Sequence, residues 1–250
     1  MSRIFNNKPT VGLRNNMART IDEVTRVTKQ NEILDCAQRL IYTKGYADMS
    51  IQDIISELGI SKGAFFHYFA SKTALLEALL ERTSRQGMEV VAPIADDPSL
   101  SPVQKLEAII RSGMQWKSGQ KTYLMAILQA WYSDENALVR QRTLGSSVSN
   151  FGVLLNRVFQ EGIEQGVFQT SFPAMAGKIV YALLTQMSDS LGYILLRVNS
   201  DPPGDSEMAI NEMDHVIRAY TDSIERILGA KPGTIHLIDL EAMKDWLPGN

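Results

Sequence analysis

Three observations predict an all-α protein. Apolar residues recur at three- and four-residue spacing along most of the 250 residues, as on amphipathic helices. No strand-rich region with two-residue alternation is present. The stretch from Met49 to Lys72, MSIQDIISELGISKGAFFHYFASK, carries the start and stop signals of two short helices joined by a tight turn.

Residues 1–27 are polar, and the first 25 carry Arg3, Lys8, Arg14 and Arg19 against Asp22 and Glu23. This composition predicts a flexible basic arm. It either reaches nucleic acid or is a tail without a role, and Met17 is an alternative start. A first helix is expected over 28–44, with Ile33, Leu34, Ala37, Leu40 and Ile41 inward and Gly45 ending it. Ser50 can cap the second helix, with Asp53 as its capping-box partner. Ile51, Ile54, Ile55 and Leu58 follow at helical spacing. Gly59 stops that helix by taking a left-handed cap, and Ser61 caps the third.

In the third helix, Phe65 and Phe69 lie four apart and can pack inward. Lys62, Gly63, Phe66 and His67 are left outward, with Tyr68 at the edge. A short helix with small, basic and aromatic groups outward suits the DNA major groove. The expected backbone grip comes from Ser50, Ser61, Lys62, Tyr68 and Lys72, helped by backbone amides at the starts of the second to fourth helices. Base reading falls to Gln52, Ala64 and His67.

Residues 29–80 resemble the DNA-binding domain of the TetR family of bacterial transcriptional regulators. The resemblance is carried by Ile33, Ala37, Gly45, Tyr46, Ser50, Ile54, Gly59, Ile60, Ser61, Lys62, Gly63, Tyr68, Phe69, Ser71, Lys72 and Leu75. It implies a helix-turn-helix domain over 28–72 and a larger helical ligand-binding and dimerisation domain over 73–230. A C-terminal tail at 231–250 is expected to dock on the body. Family members usually carry tyrosine at the position of Phe66, where a hydroxyl can reach a phosphate. Phenylalanine cannot donate that bond.

Ser71 caps a fourth helix that continues to about residue 91, with Ala74, Leu75, Ala78 and Leu79 inward. The stretch 93–102 reads as a loop. Ser101, Pro102 and Gln104 then form a strong helix start. An apolar helix is expected over 122–132, and a long one opens at Asp134 with Leu138, Leu144, Val148, Phe151, Leu155, Val158 and Phe159 inward. Pro173 starts a helix reaching about residue 198, with Ile179, Leu183, Met187, Leu191, Ile194 and Leu195 on one broad face. A last long helix spans about 206–228.

Large, adaptable side chains on the middle helices mark a candidate ligand site: Met114, Trp131, Phe151, Leu155, Met187 and Tyr193, with Gln129 and Ser188 as polar contacts. An ordinary core would read the same way. The last two long helices have apolar faces wide enough to pair with a second copy as a four-helix, two-fold interface.

The charge is uneven. Residues 1–85 hold 12 Lys and Arg against 9 Asp and Glu, and residues 86–250 hold 13 against 19. A basic front and an acidic remainder fit nucleic-acid contact at the N-terminal end. The single cysteine, Cys36, reads as a packing residue in a reducing compartment. The histidines His67, His215 and His236 are scattered, and no paired metal motif, phosphate loop or nucleophile elbow is present. An enzyme, a cofactor and a metal are therefore not expected. No run of about 18 apolar residues is present, so no membrane span is expected, and the lone cysteine fits a cytoplasmic location.

The function these features imply is a homodimeric, sequence-specific repressor. It would bind a near-palindromic operator in double-stranded DNA and be released by an apolar or amphipathic small molecule. The rival is an all-α small-molecule-binding or scaffolding protein with a vestigial DNA-binding domain.

Overall fold

A computed structural model describes residues 11–200 and 204–248, with side chains over 24–145, 150–200 and 204–248. Among the described residues every regular element is helical. The chain divides into two compact units, Met1–Leu75 and Leu76–Asn250.

The first unit contains α1 (Val11–Asp48), α2 (Ile51–Leu58) and α3 (Lys62–Tyr68). Helix α1 begins at Val11, inside the stretch expected to be a flexible arm. Residues 1–10 and the side chains of Arg14 and Arg19 lie outside the described residues. A polar helix shows no apolar stripe, so periodicity could not mark its start. Helix α1 breaks at Gly45, whose φ of 80° and ψ of 164° only glycine adopts readily. Ile33, Leu34, Cys36, Ala37 and Ile41 are buried, as are Ile54, Ile55, Phe65, Phe69 and Leu75. Burial, with Glu57 nearby, pushes the Cys36 thiol up to about 11, which suits an inert packing residue.

Helix α4 (Lys72–Ala95) runs across the boundary and carries Pro93 in its last turn, so it extends into the expected loop. The second unit continues with α5 (Pro102–Ser118), α6 (Lys121–Tyr132), α7 (Ala137–Glu164), α8 (Pro173–Val198), α9 (Ser206–Leu228) and α10 (Leu240–Lys244). Ser101 and Gln104 make the expected capping box on α5. Helix α7 packs chiefly on α8, and α8 on α9. At the α7–α8 crossing a Cβ on Gly177 would overlap the Gly152 carbonyl oxygen, so the two backbones meet only because Gly177 lacks one.

Two inward assignments change. Leu138 is 56% exposed and Val139 is buried. Both lie inside α7, which a 3-10 turn over Asp134–Asn136 precedes, and six residues of α-helix turn Leu138 about 120° away from Leu144, so the two do not share a face. Val148 lies outside the described side chains. Ile179 is 39% exposed, because α8 buries a narrower face than its composition suggests. By length and composition α8 could cross a membrane, which qualifies the expectation of no such segment. Its inner face, including Val180, Leu184, Met187 and Leu191, lies in the core.

The segment after α9 forms a strap. Glu225 accepts backbone N–H bonds from Gly233, Thr234 and Ile235 at 3.0, 2.8 and 2.9 Å. Glu107 on α5 accepts the N–H of His236 at 2.8 Å. The Asn199 amide donates to the Trp246 carbonyl and the Lys121 ammonium to that of Asp245. Ile235, Leu237, Met243, Trp246 and Leu247 are buried in the core. The tail thus docks on the body, as expected.

Candidate nucleic-acid interface

The helix-turn-helix is built by local caps. The Ser50 hydroxyl oxygen accepts the Asp53 N–H at 3.1 Å, and the Asp53 carboxylate accepts the Ser50 N–H at 2.7 Å. Asp53 also takes the Ser50 hydroxyl proton at 2.6 Å and pairs with the Lys44 ammonium at 2.7 Å. Lys44 and these hydrogen bonds hold the carboxyl well below its usual range. Gly59 takes the left-handed conformation, φ 63° and ψ 30°, and ends α2. The Ser61 hydroxyl oxygen then accepts the Ala64 N–H at 3.1 Å and starts α3.

Phe65 and Phe69 are 0% and 3% exposed, with ring centroids 6.0 Å apart. They turn the opposite side of α3 outward. Ser61, Lys62, Gly63, Phe66 and His67 are exposed, and Ala64 and Tyr68 are half-buried. His67 and Tyr68 stand edge to face at 5.1 Å. The Lys62 ammonium lies 6.0 Å from the Phe66 ring centroid. Gln52 is exposed on α2, and its amide donates to the Ser56 hydroxyl at 3.2 Å.

These ten residues do not all share one duty. The Ser50 proton is engaged by Asp53, so its first role is the cap. The Lys72 ammonium donates to the Ala47 carbonyl at 3.0 Å and lies 4.4 Å from the Tyr46 ring centroid. There it braces the end of α1 against the start of α4, and an ammonium still has further protons to offer. Two supporting residues escaped the sequence reasoning as site members. Lys44 steadies Asp53 from nine residues upstream, and Tyr46 carries the face on which Lys72 rests. Neither spacing follows a helical rule, although Tyr46 is among the residues of the family resemblance.

The residues expected to hold a ligand are spread between the core and the surface. Leu155 and Met187 lie in the core, with Met114 and Phe151 packed against it. Gln129, Ser188 and Tyr193 are exposed, and Trp131 is half-buried. Tyr193 lies 4.2 Å from Tyr132 between ring centroids, and the Tyr132 hydroxyl donates to the Asp189 carboxylate at 2.9 Å. Burial, with Asp189 beside it, pushes the Tyr132 phenol up. A cavity of about 430 Å³ between α7 and α8 is lined by Asn156, Arg157, Glu161 and Lys178, among others. Another of about 290 Å³ is lined by Phe172, Ile179, Arg226 and Ile227, among others. None of the eight expected ligand residues lines either one.

Residues 33–79 match the family model described as bacterial regulatory proteins, tetR family. The chain carries a TetR-family DNA-binding domain. The HTH-type transcriptional regulator YerO of Bacillus subtilis is 30% identical over 163 residues, 64% of this chain and 56% of that protein. The chain thus spans little more than half the length of that relative. The HTH-type transcriptional regulator EthR of Mycolicibacterium smegmatis is 27% identical over 182 residues, 64% of this chain and 83% of that protein. A TetR-family transcriptional regulator from Pectobacterium atrosepticum has the same fold, with a TM-score of 0.61 at 17% identity over 82% of this chain and 96% of that one.

Proposed function

We propose that this TetR-family protein is a cytoplasmic, homodimeric repressor that binds a near-palindromic operator and leaves it when a small molecule binds. The outer face of α3 carries the reading. Its exposed Lys62, Gly63, Phe66 and His67 stand on a helix whose inner face is locked by Phe65 and Phe69. The proposed base readers are Gln52, Ala64 and His67, and Ser61, Lys62, Tyr68 and Lys72 hold phosphates.

Dimerisation through α8 and α9 is supported by the outer side of α8. Met175, Ile179 and Tyr193 are exposed there, and only 39% of the most apolar 18-residue stretch is buried. Helix α9 contributes less apolar surface. Its outer side carries the Asp214–Arg218 and Asp222–Arg226 pairs, with Met208 exposed near its start. A two-fold dimer presents two copies of α3 to successive major grooves.

The effector is proposed to be apolar or amphipathic and to bind among the middle helices, where Met114, Phe151, Leu155 and Met187 meet the core. Such a ligand displaces existing packing, so it switches the protein only through unequal affinity for two arrangements.

The test is selection of bound sequences from random DNA with the full chain, alongside sedimentation of the free protein. A recovered near-palindrome, salt-sensitive binding and a dimeric mass are expected. A monomer with no enriched sequence, with or without a metabolite library present, would sink the reading.

A further inference from the structure

One large apolar ring on α3 has no structural duty in the core. Phe66 is 41% exposed, whereas Phe65 and Phe69 on the same helix are buried. By helical geometry the buried pair sets the inward direction, and His67 and Gly63 point the opposite way. Phe66 then lies on one flank beside Lys62, and Tyr68 and Ala64 lie on the other. Its ring meets Phe65 edge-on, with centroids 5.5 Å apart and planes at 88°. That contact steadies the orientation while leaving much of the ring in water.

A phenyl ring offers no donor to a phosphate and no partner to a base's polar edge. What it gains on binding is burial against apolar surface. The major groove offers one such group, the thymine C5-methyl. That methyl sits at the outer edge of the base, towards its own strand's backbone, where the flank of an inserted helix passes. Lys62 on the same flank provides a cation for the neighbouring phosphate.

We propose that Phe66 is a specificity-determining residue that reads a thymine methyl at one fixed position of each half-site. This rests on the DNA-binding function proposed above and adds to it a base preference. Thymine is selected there by apolar contact, without a hydrogen bond from Phe66.

The test replaces each thymine of the selected operator singly by deoxyuridine, which removes the methyl and keeps base pairing. Wild-type affinity should fall about fourfold at one thymine per half-site, the worth of one buried methyl group. Phe66→Ala should bind more weakly overall and be indifferent to that same replacement. Phe66→Leu should retain part of the sensitivity, and it serves as the comparison if the alanine variant loses its helical melting transition. Absence of any deoxyuridine-sensitive position would overturn the proposal, as would sensitivity unchanged in both variants. Loss of the sensitivity in Ala64→Gly instead would assign the methyl to Ala64 and also overturn it. Sequence-specific binding without methyl dependence removes only this role of Phe66, whereas failure to select any sequence removes the DNA-binding function itself.

Discussion

Helices α2 and α3 have 8 and 7 residues, and each is bounded by groups within three positions of its ends: Ser50 with Asp53, Gly59, and Ser61 with the Ala64 amide. Helices α7 and α8 have 28 and 26 residues, and neither has a side-chain cap at its start. Groups distant in sequence hold them. Gly177 meets the Gly152 carbonyl, and buried Lys105 on α5 pairs with Glu161 on α7 at 2.5 Å. The DNA-binding unit is specified by neighbours in sequence, and the body by neighbours in space. A short helix that must expose one face to DNA has little area to bury, so its ends must be stabilised locally. A long core helix can leave its ends to packing.

Substitutions can break this contrast, the largest effects being expected in the body. Gly177→Ala forces the α7 and α8 backbones apart and should cost about 3 kcal/mol in urea unfolding. Glu225→Ala strips three backbone amides of their acceptor and should cost about 2 kcal/mol. Faster hydrogen exchange at residues 233–235 is the specific sign, and unchanged exchange there would remove Glu225 from its role as anchor. In the DNA-binding unit Ser50→Ala should cost only about 1 kcal/mol. The loss should appear as fraying of α2 and leave the melting of the body unmoved. Lys72→Ala should lower affinity for all DNA sequences alike and flatten the salt dependence by about one phosphate's worth. Because Lys72 also braces Ala47, the same variant should melt earlier. Loss of stability without any change in salt slope would assign it to bracing alone.

The smallest effect is one of pH. Asp53 has a depressed carboxyl, so its contribution is present above the ordinary value of 3.8 and is lost as pH falls through the lower folded value. Asp53→Asn should therefore flatten the acid limb of the stability profile of this unit. An acid limb identical in both proteins would show that other carboxylates set it.

The same contrast explains what could be read from the residues alone. The Ser50–Asp53 box, the Gly59 stop, the Ser61 cap and the inward Phe65 and Phe69 follow from rules spanning three or four positions, and each is found in the structure. The start of α1 at Val11 was not legible, because a polar helix has no stripe. Leu138 proved exposed because, within α7, it lies about 120° away from the face that Leu144 shares. The ligand set lines neither of the two cavities described, and large apolar residues on middle helices look alike whether they line a pocket or fill a core. The Lys44–Asp53 pair and the three amides on Glu225 depend on where the chain returns, which no local pattern encodes.

The strap has a consequence for the order of folding. Its anchors join residues far apart along the chain: His236 to Glu107 across 129 positions, and Asp245 to Lys121 across 124. Contacts between α7 and α8 span far shorter loops, and closing a long loop costs more chain entropy before any contact repays it. The α7–α8 hairpin should therefore form early, and the strap should seat late over an already assembled set of helices. Burial of Trp246, at 6% exposure, then makes its indole fluorescence a natural clock for the last step of assembly.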